Sequence, residues 1–194
     1  MSVTTARRAP DPTSWITLAI FGILVLAVAI TGSVAATSSS NTYKTLELPP
    51  FAPPSWVFSP VWTVIYITIA ISGWRAYLAG ASTASLALYA LGLVLNASWT
   101  PLFFAFEQYE LALADIIALD LVVAGTIVLF WARSVFAGAL QLPYLAWILF
   151  ATALNAAIVT LNERSARGIA TRPRRRGAVP SRARDAPHPT MTPS

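Results

Sequence analysis

The 194-residue chain has no cysteine and a single histidine, His188, set between two prolines near its C-terminus. Without cysteine there is no disulfide framework, no thiol nucleophile and no thiolate metal ligand. With its one histidine in a proline-flanked tail, the chain also has no Ser-His-Asp or Cys-His constellation. It lacks the commonest ligands for zinc and haem iron, so no metal site is expected. Methionine is confined to Met1 and Met191. Charge is scarce as well: 11% of residues are charged, against about 25% in soluble domains. That excludes an ordinary soluble domain.

The little charge present is segregated. Residues 162–194 hold eight arginines against Glu163 and Asp185, whereas the rest of the chain carries five basic and six acidic residues. This stretch also has five prolines and few large apolar side chains, so residues 163–194 read as a disordered Arg/Pro-rich tail. Its expected role is orientation and attraction to anionic membrane lipid, worth about 1 kcal/mol per basic residue near the surface. No nucleic-acid partner is expected.

What fills the remainder is apolar: 56% of the chain is hydrophobic. A helix needs about 20 apolar residues to cross a hydrocarbon layer of about 30 Å. Five segments qualify, at about 15–36, 59–79, 84–106, 109–132 and 136–161. They are too long for barrel strands and must satisfy their backbone groups internally, so the expected fold is all-α, an integral membrane bundle of five transmembrane helices. A tail at 1–13, a membrane domain at 14–162 and a second tail at 163–194 complete the organisation. The first segment has the outline of a cleavable signal peptide, with Arg7 and Arg8 before it and small residues at Val34–Ala36. Its apolar run exceeds the usual 7 to 15 residues or so, so it is expected to stay as a span. Five spans put the termini on opposite sides. Arg7, Arg8, Arg75 and Arg133 share one side, and Lys44 joins the arginines from Arg164 onward on the other. The excess predicts a cytoplasmic C-terminus.

Proline clusters where the second segment begins, in "LPPFAPPSWVFSPVWTVIY" at 48–66. A helix capped by Ser59 would put Pro60 at its first position, where a missing N–H costs nothing. Residues 48–58 then form an extended, stiff segment at the bilayer surface. Pro101 and Pro143 fall inside the third and fifth segments and are expected to kink them, opening space beside Trp99 and Trp147. Helical spacing puts Trp62 with Tyr66 on one face, Asn96 with Trp99 and Phe103 on another, and Trp147 with Ala151, Leu154 and Asn155 on a third. Trp15, Trp56, Trp74 and Trp131 lie near segment ends and suit the interfacial belt. Trp62, Trp99 and Trp147 lie deeper and suit either a pocket wall or helix packing. Asn96 and Asn155 suit interhelical hydrogen bonding or ligand contact. Asp115 and Asp120 are intramembrane carboxylates, a functional hypothesis by default, though a proton relay would lack histidine or lysine stations.

The stretches "PPFAPPSWVFSPVWTVIY" at 49–66, "LNASWTPLFF" at 95–104, "ALADI" at 112–116 and "PYLAWILFATALN" at 143–155 together resemble the TspO/translocator protein family of tryptophan-rich sensory proteins, over approximately residues 15–162. The resemblance implies a five-helix bundle that binds porphyrins such as protoporphyrin IX or haem as ligands, with no cofactor required. Pocket residues would be Trp62, Tyr66, Asn96, Trp99, Phe103, Trp147, Ala151 and Leu154, under a lid that includes Pro49, Phe51, Pro53, Pro54 and Trp56. It also implies a homodimer and, in some bacterial relatives, light- and oxygen-dependent porphyrin breakdown with the tryptophans matching Trp62 and Trp147 implicated. A receptor-like or sensory membrane protein is the leading expectation; a porphyrin-degrading enzyme and a porphyrin transporter are the alternatives. Two departures bear on the lid: Thr42 precedes Tyr43 where the family commonly has tryptophan, and Phe51 stands at a second aromatic site. Ala156 replaces the tyrosine of the mammalian cholesterol motif, so cholesterol transport is not carried over. With tyrosine the best axial donor in the helices, metal-free porphyrin is expected to bind at least as tightly as haem.

Overall fold

The computed structural model describes residues 12–37 and 46–170. Arg7, Arg8, Thr42, Tyr43 and Lys44, and the tail from residue 171 onward, lie outside the described residues. The elements are α1 (Pro12–Thr37), a 3₁₀ turn (Ser55–Val57), α2 (Phe58–Leu78), α3 (Thr83–Thr100), a π turn (Pro101–Ala105), α4 (Tyr109–Trp131), α5 (Val135–Ala139) and α6 (Leu142–Ala170). Among the described residues, five stretches are long and apolar enough to cross a membrane: Thr13–Val34, Ser55–Leu78, Thr83–Ala105, Tyr109–Trp131 and Val135–Arg164. The protein is an all-helical, multi-pass integral membrane bundle. Around the ring, α1 packs on α2 and α3, α3 on α4, and α5 and α6 close the circle between α4 and α2. The core runs down the axis through Ile69, Ile116, Leu119, Phe130 and Ile148, all nearly fully buried. The outward faces stay apolar, as lipid contact requires.

Tight turns enforce this antiparallel arrangement. Gly80 ends α2 at φ 75°, the left-handed conformation that glycine adopts without a Cβ penalty. Ala81 N–H donates to Ala76 O and Gly80 N–H to Tyr77 O, both at 3.0 Å, which is the Schellman closure. Ser82 then caps α3 by accepting from Ser85 N–H at 3.2 Å, and Ser134 caps α5 by accepting from Ala137 N–H at 3.2 Å.

The prolines act differently from expectation in three places. First, Ser59 is not the cap of α2. Val57 is, and Pro60 occupies the third helical position. The physical reason survives the shift, because the first four N–H groups of a helix have no intrahelical acceptor and a proline there removes nothing. Second, residues 48–58 are not simply extended: Ala52 N–H closes a turn on Pro49 O and Val57 N–H closes the 3₁₀ turn on Pro54 O, each at 3.0 Å. Third, Pro143 does not kink a continuous fifth helix. The chain breaks at Leu140–Gln141 between α5 and α6, and Pro143 lies in the first turn of the new helix, where it is again free of cost. Pro101 does disrupt its helix, opening the π turn in which Phe106 N–H reaches Pro101 O at 2.9 Å. Helix α6 also continues through Asn162 to Ala170, past the expected end of the fifth span at 161.

Candidate functional site

The predicted pocket residues meet in two adjoining apolar clusters toward the end of the bundle that carries the 46–58 segment. One holds Trp62, Tyr66, Trp147 and Ala151 around the axial core, the other holds Phe103 and Leu154, and Trp99 packs against both. The rings are mutually oriented. Trp62 stacks on Tyr66 at 5.1 Å between centroids and meets Tyr144 edge-on at 6.3 Å. Trp99 stacks on Phe103 at 5.3 Å. Trp147 packs on Phe150 at 5.5 Å and edge-on to Phe58 at 5.7 Å. Such offset and edge contacts each contribute about 0.5–1.5 kcal/mol beyond the area they bury.

A polar chain runs through these rings. Tyr66 O–H donates to Asn96 Oδ1 at 3.3 Å, and Asn96 Nδ2 donates to Tyr144 Oη at 3.1 Å. Asn96 is therefore an interhelical tie between α2, α3 and α6, set among the other predicted pocket residues. Gly32 of α1 closes the fourth side, where an added Cβ would sit 3.6 Å from the Tyr66 hydroxyl. Asn155 does not join this chain. It is buried, and its Nδ2 donates to Tyr109 O at the start of α4 at 3.2 Å.

The proline segment lies over this end. Leu46, Leu48, Ala52 and Phe58 pack on Phe103, Leu154 and Ile158, and Phe51 meets Phe150 edge-on at 6.3 Å. A side-chain amide fastens it: Glu47 N–H donates to Asn162 Oδ1 and Asn162 Nδ2 donates to Glu47 O, both at 3.2 Å. Pro49 is buried and Pro53 half-buried, while Pro54 is exposed. Trp56 is 72% exposed, as an interfacial-belt tryptophan would be. Trp15 and Trp74 stack at 6.4 Å at the opposite end, with Trp74 Nε1 donating to Ser14 O at 2.9 Å.

The two carboxylates are tied to hydroxyls on neighbouring helices. Ser98 Oγ donates to Asp115 Oδ1 and Thr152 Oγ1 to Asp120 Oδ2, both at 2.8 Å. They point to different partners, α3 and α6. Among the described residues, no group of three or more His, Cys, Asp or Glu side chains could hold a metal ion.

An open groove of about 520 Å³ lies between the first turns of α2 and α6, lined by Pro60, Val61, Val64, Ile65, Pro143, Ala146 and Trp147. The space expected beside Trp147 is thus present, but it opens to the outer face of the bundle. Of the predicted pocket residues only Trp147 lines it. Tyr144 was absent from the predicted set although it lies at the centre of the polar chain. The spacing that aligns Trp147, Ala151 and Asn155 extends back by three residues to Tyr144 and carries that signal. Asn162 offered no such pattern, because its partner is a backbone 115 positions away.

A five-helix membrane bundle with an aromatic, amide-tied ring cluster beneath a proline-rich segment defines a class of multi-pass integral membrane protein. Residues 19–161 match the TspO/MBR family, and the chain belongs to it. It is 43% identical over 143 residues to the "Tryptophan-rich protein TspO" of Archaeoglobus fulgidus, covering 72% of this chain and 93% of that one. It is 32% identical over 150 residues to "Protein CrtK" of Rhodobacter capsulatus, covering 75% and 94%. It is 37% identical over 121 residues to the "Translocator protein" of Homo sapiens, covering 58% and 70%.

Proposed function

We propose that the chain is a receptor-like or sensory membrane protein that binds a tetrapyrrole of the porphyrin type among Trp62, Tyr66, Asn96, Trp99, Phe103, Trp147, Ala151 and Leu154. The observation that supports this most is the convergence of packed aromatic rings from α2, α3 and α6 around the Tyr66–Asn96–Tyr144 chain. A flat, largely apolar macrocycle is recognised by ring faces, and a few fixed polar groups orient it. The 46–58 segment is the lid of this pocket, held by Asn162. Porphyrin is a ligand here; no cofactor is required. The arginine excess beyond Arg164 supports a cytoplasmic C-terminus in a bacterial cell membrane, and a homodimer is carried over from the family resemblance.

Titration of the purified full chain with protoporphyrin IX, followed by absorbance and tryptophan quenching, tests the proposal. Saturable one-site binding that weakens about tenfold or more in Trp147→Ala is expected, since truncating an aromatic anchor of a binding site costs about 2 kcal/mol or more. Haem is expected to bind no more tightly than the metal-free ring. Absence of saturable binding refutes the proposal. A degrading activity is a second reading because both candidate tryptophans, Trp62 and Trp147, stand in the same ring cluster. Illumination in air decides it: porphyrin loss no faster than in a Trp62→Phe/Trp147→Phe variant excludes catalysis by those residues.

A further inference from the structure

The polar chain has a continuation on the far side of Tyr144 from the pocket. There an interior void is lined by four polar residues, Tyr89, Thr126, Gln141 and Tyr144, set among aliphatic side chains. All four are buried, Gln141 to 1% and Tyr144 to 2% exposure. The void leaves about 10 Å³ for the centre of a water molecule, which is room for about one water.

The hydrogen-bonding capacity around it is unbalanced. Tyr89 O–H donates to Ile69 O at 3.1 Å, and Thr126 Oγ1 donates to Val122 O at 2.8 Å. Tyr144 accepts from Asn96 and keeps its own proton for a further acceptor. Gln141 Oε1 is a buried acceptor with no partner among the described residues. A donor seeking an acceptor and an acceptor seeking a donor thus belong to residues that line one water-sized void.

We propose that this void is a water-binding site. One buried water accepts the Tyr144 O–H and donates to Gln141 Oε1. Its second hydrogen meets a free lone pair on Thr126 Oγ1 or Tyr89 Oη, completing the three bonds a buried water typically makes. The water joins Tyr66, Asn96, Tyr144 and Gln141 into one continuous chain. All donors in that chain point the same way, because it ends on an amide oxygen that can only accept. Tyr66 therefore commits its proton to Asn96 and presents a lone pair toward the pocket. Gln141 is also the residue at the break between α5 and α6. The water ties the pocket wall to the interruption in the fifth span, a physical path by which occupancy on one side of the bundle reaches the turn near the other. This last consequence rests on the tetrapyrrole reading above; the water site does not.

A crystal structure of the full chain at a resolution that shows ordered water tests the site directly. Expected is one peak within hydrogen-bond distance of both Tyr144 Oη and Gln141 Oε1. A map with no peak there, or with Gln141 Oε1 paired to a protein donor, overturns the site. The chain is tested by a double-mutant cycle on protoporphyrin IX affinity. Gln141→Met, which keeps length without an amide oxygen, is expected to shift the dissociation constant by about twofold or more, and the shift is expected to vanish in a Tyr66→Phe background. Equal shifts in both backgrounds overturn the link to the pocket. If the unmodified chain binds no protoporphyrin IX, the tetrapyrrole reading fails, while the map still decides the water.

Discussion

Asn96 shows at the scale of one residue how this fold uses its few polar groups. An amide in hydrocarbon has no water to satisfy it, so it must find both a donor and an acceptor among neighbouring helices. It finds them in Tyr66 and Tyr144, and by doing so fixes the hydroxyl that faces Gly32 on α1. Asn96→Leu keeps the side-chain volume but strips two hydroxyls of their partner. The expected cost is about 1–2 kcal/mol, read as a lower unfolding midpoint in detergent with helical content retained. A midpoint unchanged from the parent chain would show that the amide contributes nothing net. Asp115 and Asp120 belong to the same pattern. Each accepts from one hydroxyl on a different helix, which makes them local ties more than stations on a shared path. The sequence made Asn96 visible through its spacing from Trp99, and the same helical spacing carries Tyr144, three residues before Trp147 on one face.

At the scale of the element, two devices position the site. The close approach of α1, α2 and α3 depends on Gly73, where a Cβ would lie 2.8 Å from the rings of Phe21 and Tyr89. Gly73→Ala is expected to destabilise by about 1–3 kcal/mol through overpacking, again measured as a lowered unfolding midpoint; an unaffected midpoint would mean both rings yield freely. The second device is the 46–58 segment, the lid of the proposed function. Its prolines limit its own conformations, and Asn162 supplies the two hydrogen bonds that hold Glu47. Asn162→Ala is expected to accelerate ligand release and proteolytic cutting near residue 47 with little change in unfolding midpoint. Release rates equal to those of the parent chain would remove Asn162 from the gating account. The helices themselves were legible because an apolar run of about 20 residues is a statement about bilayer thickness. The break at Leu140–Gln141 was not, since a single glutamine in an apolar run carries no periodic signal and Pro143 alone suggests a kink as readily as a start.

At the scale of the whole molecule, five spans and a segregated charge set the orientation. The natural absence of cysteine makes topology directly measurable, because any introduced thiol is unique. A Ser134→Cys variant is expected to react with an impermeant maleimide from outside intact cells, and a Glu163→Cys variant only after lysis. The reverse pattern would place the lid on the opposite face from the one the arginines predict. The bundle's interior is filled by packed aromatic rings, and the groove of about 520 Å³ opens outward between α2 and α6. Ligand binding in the ring cluster therefore requires the rings or the lid to move apart, whereas binding in the groove requires neither.

That contrast gives the decisive measurement, a structure of the full chain bound to protoporphyrin IX. The account predicts the macrocycle between Trp62, Tyr66 and Trp147, beneath a displaced 46–58 segment, with Asn96 still linking Tyr66 to Tyr144. A macrocycle lying in the outer groove against Pro60, Val64 and Ala146, with the ring cluster undisturbed, would contradict it.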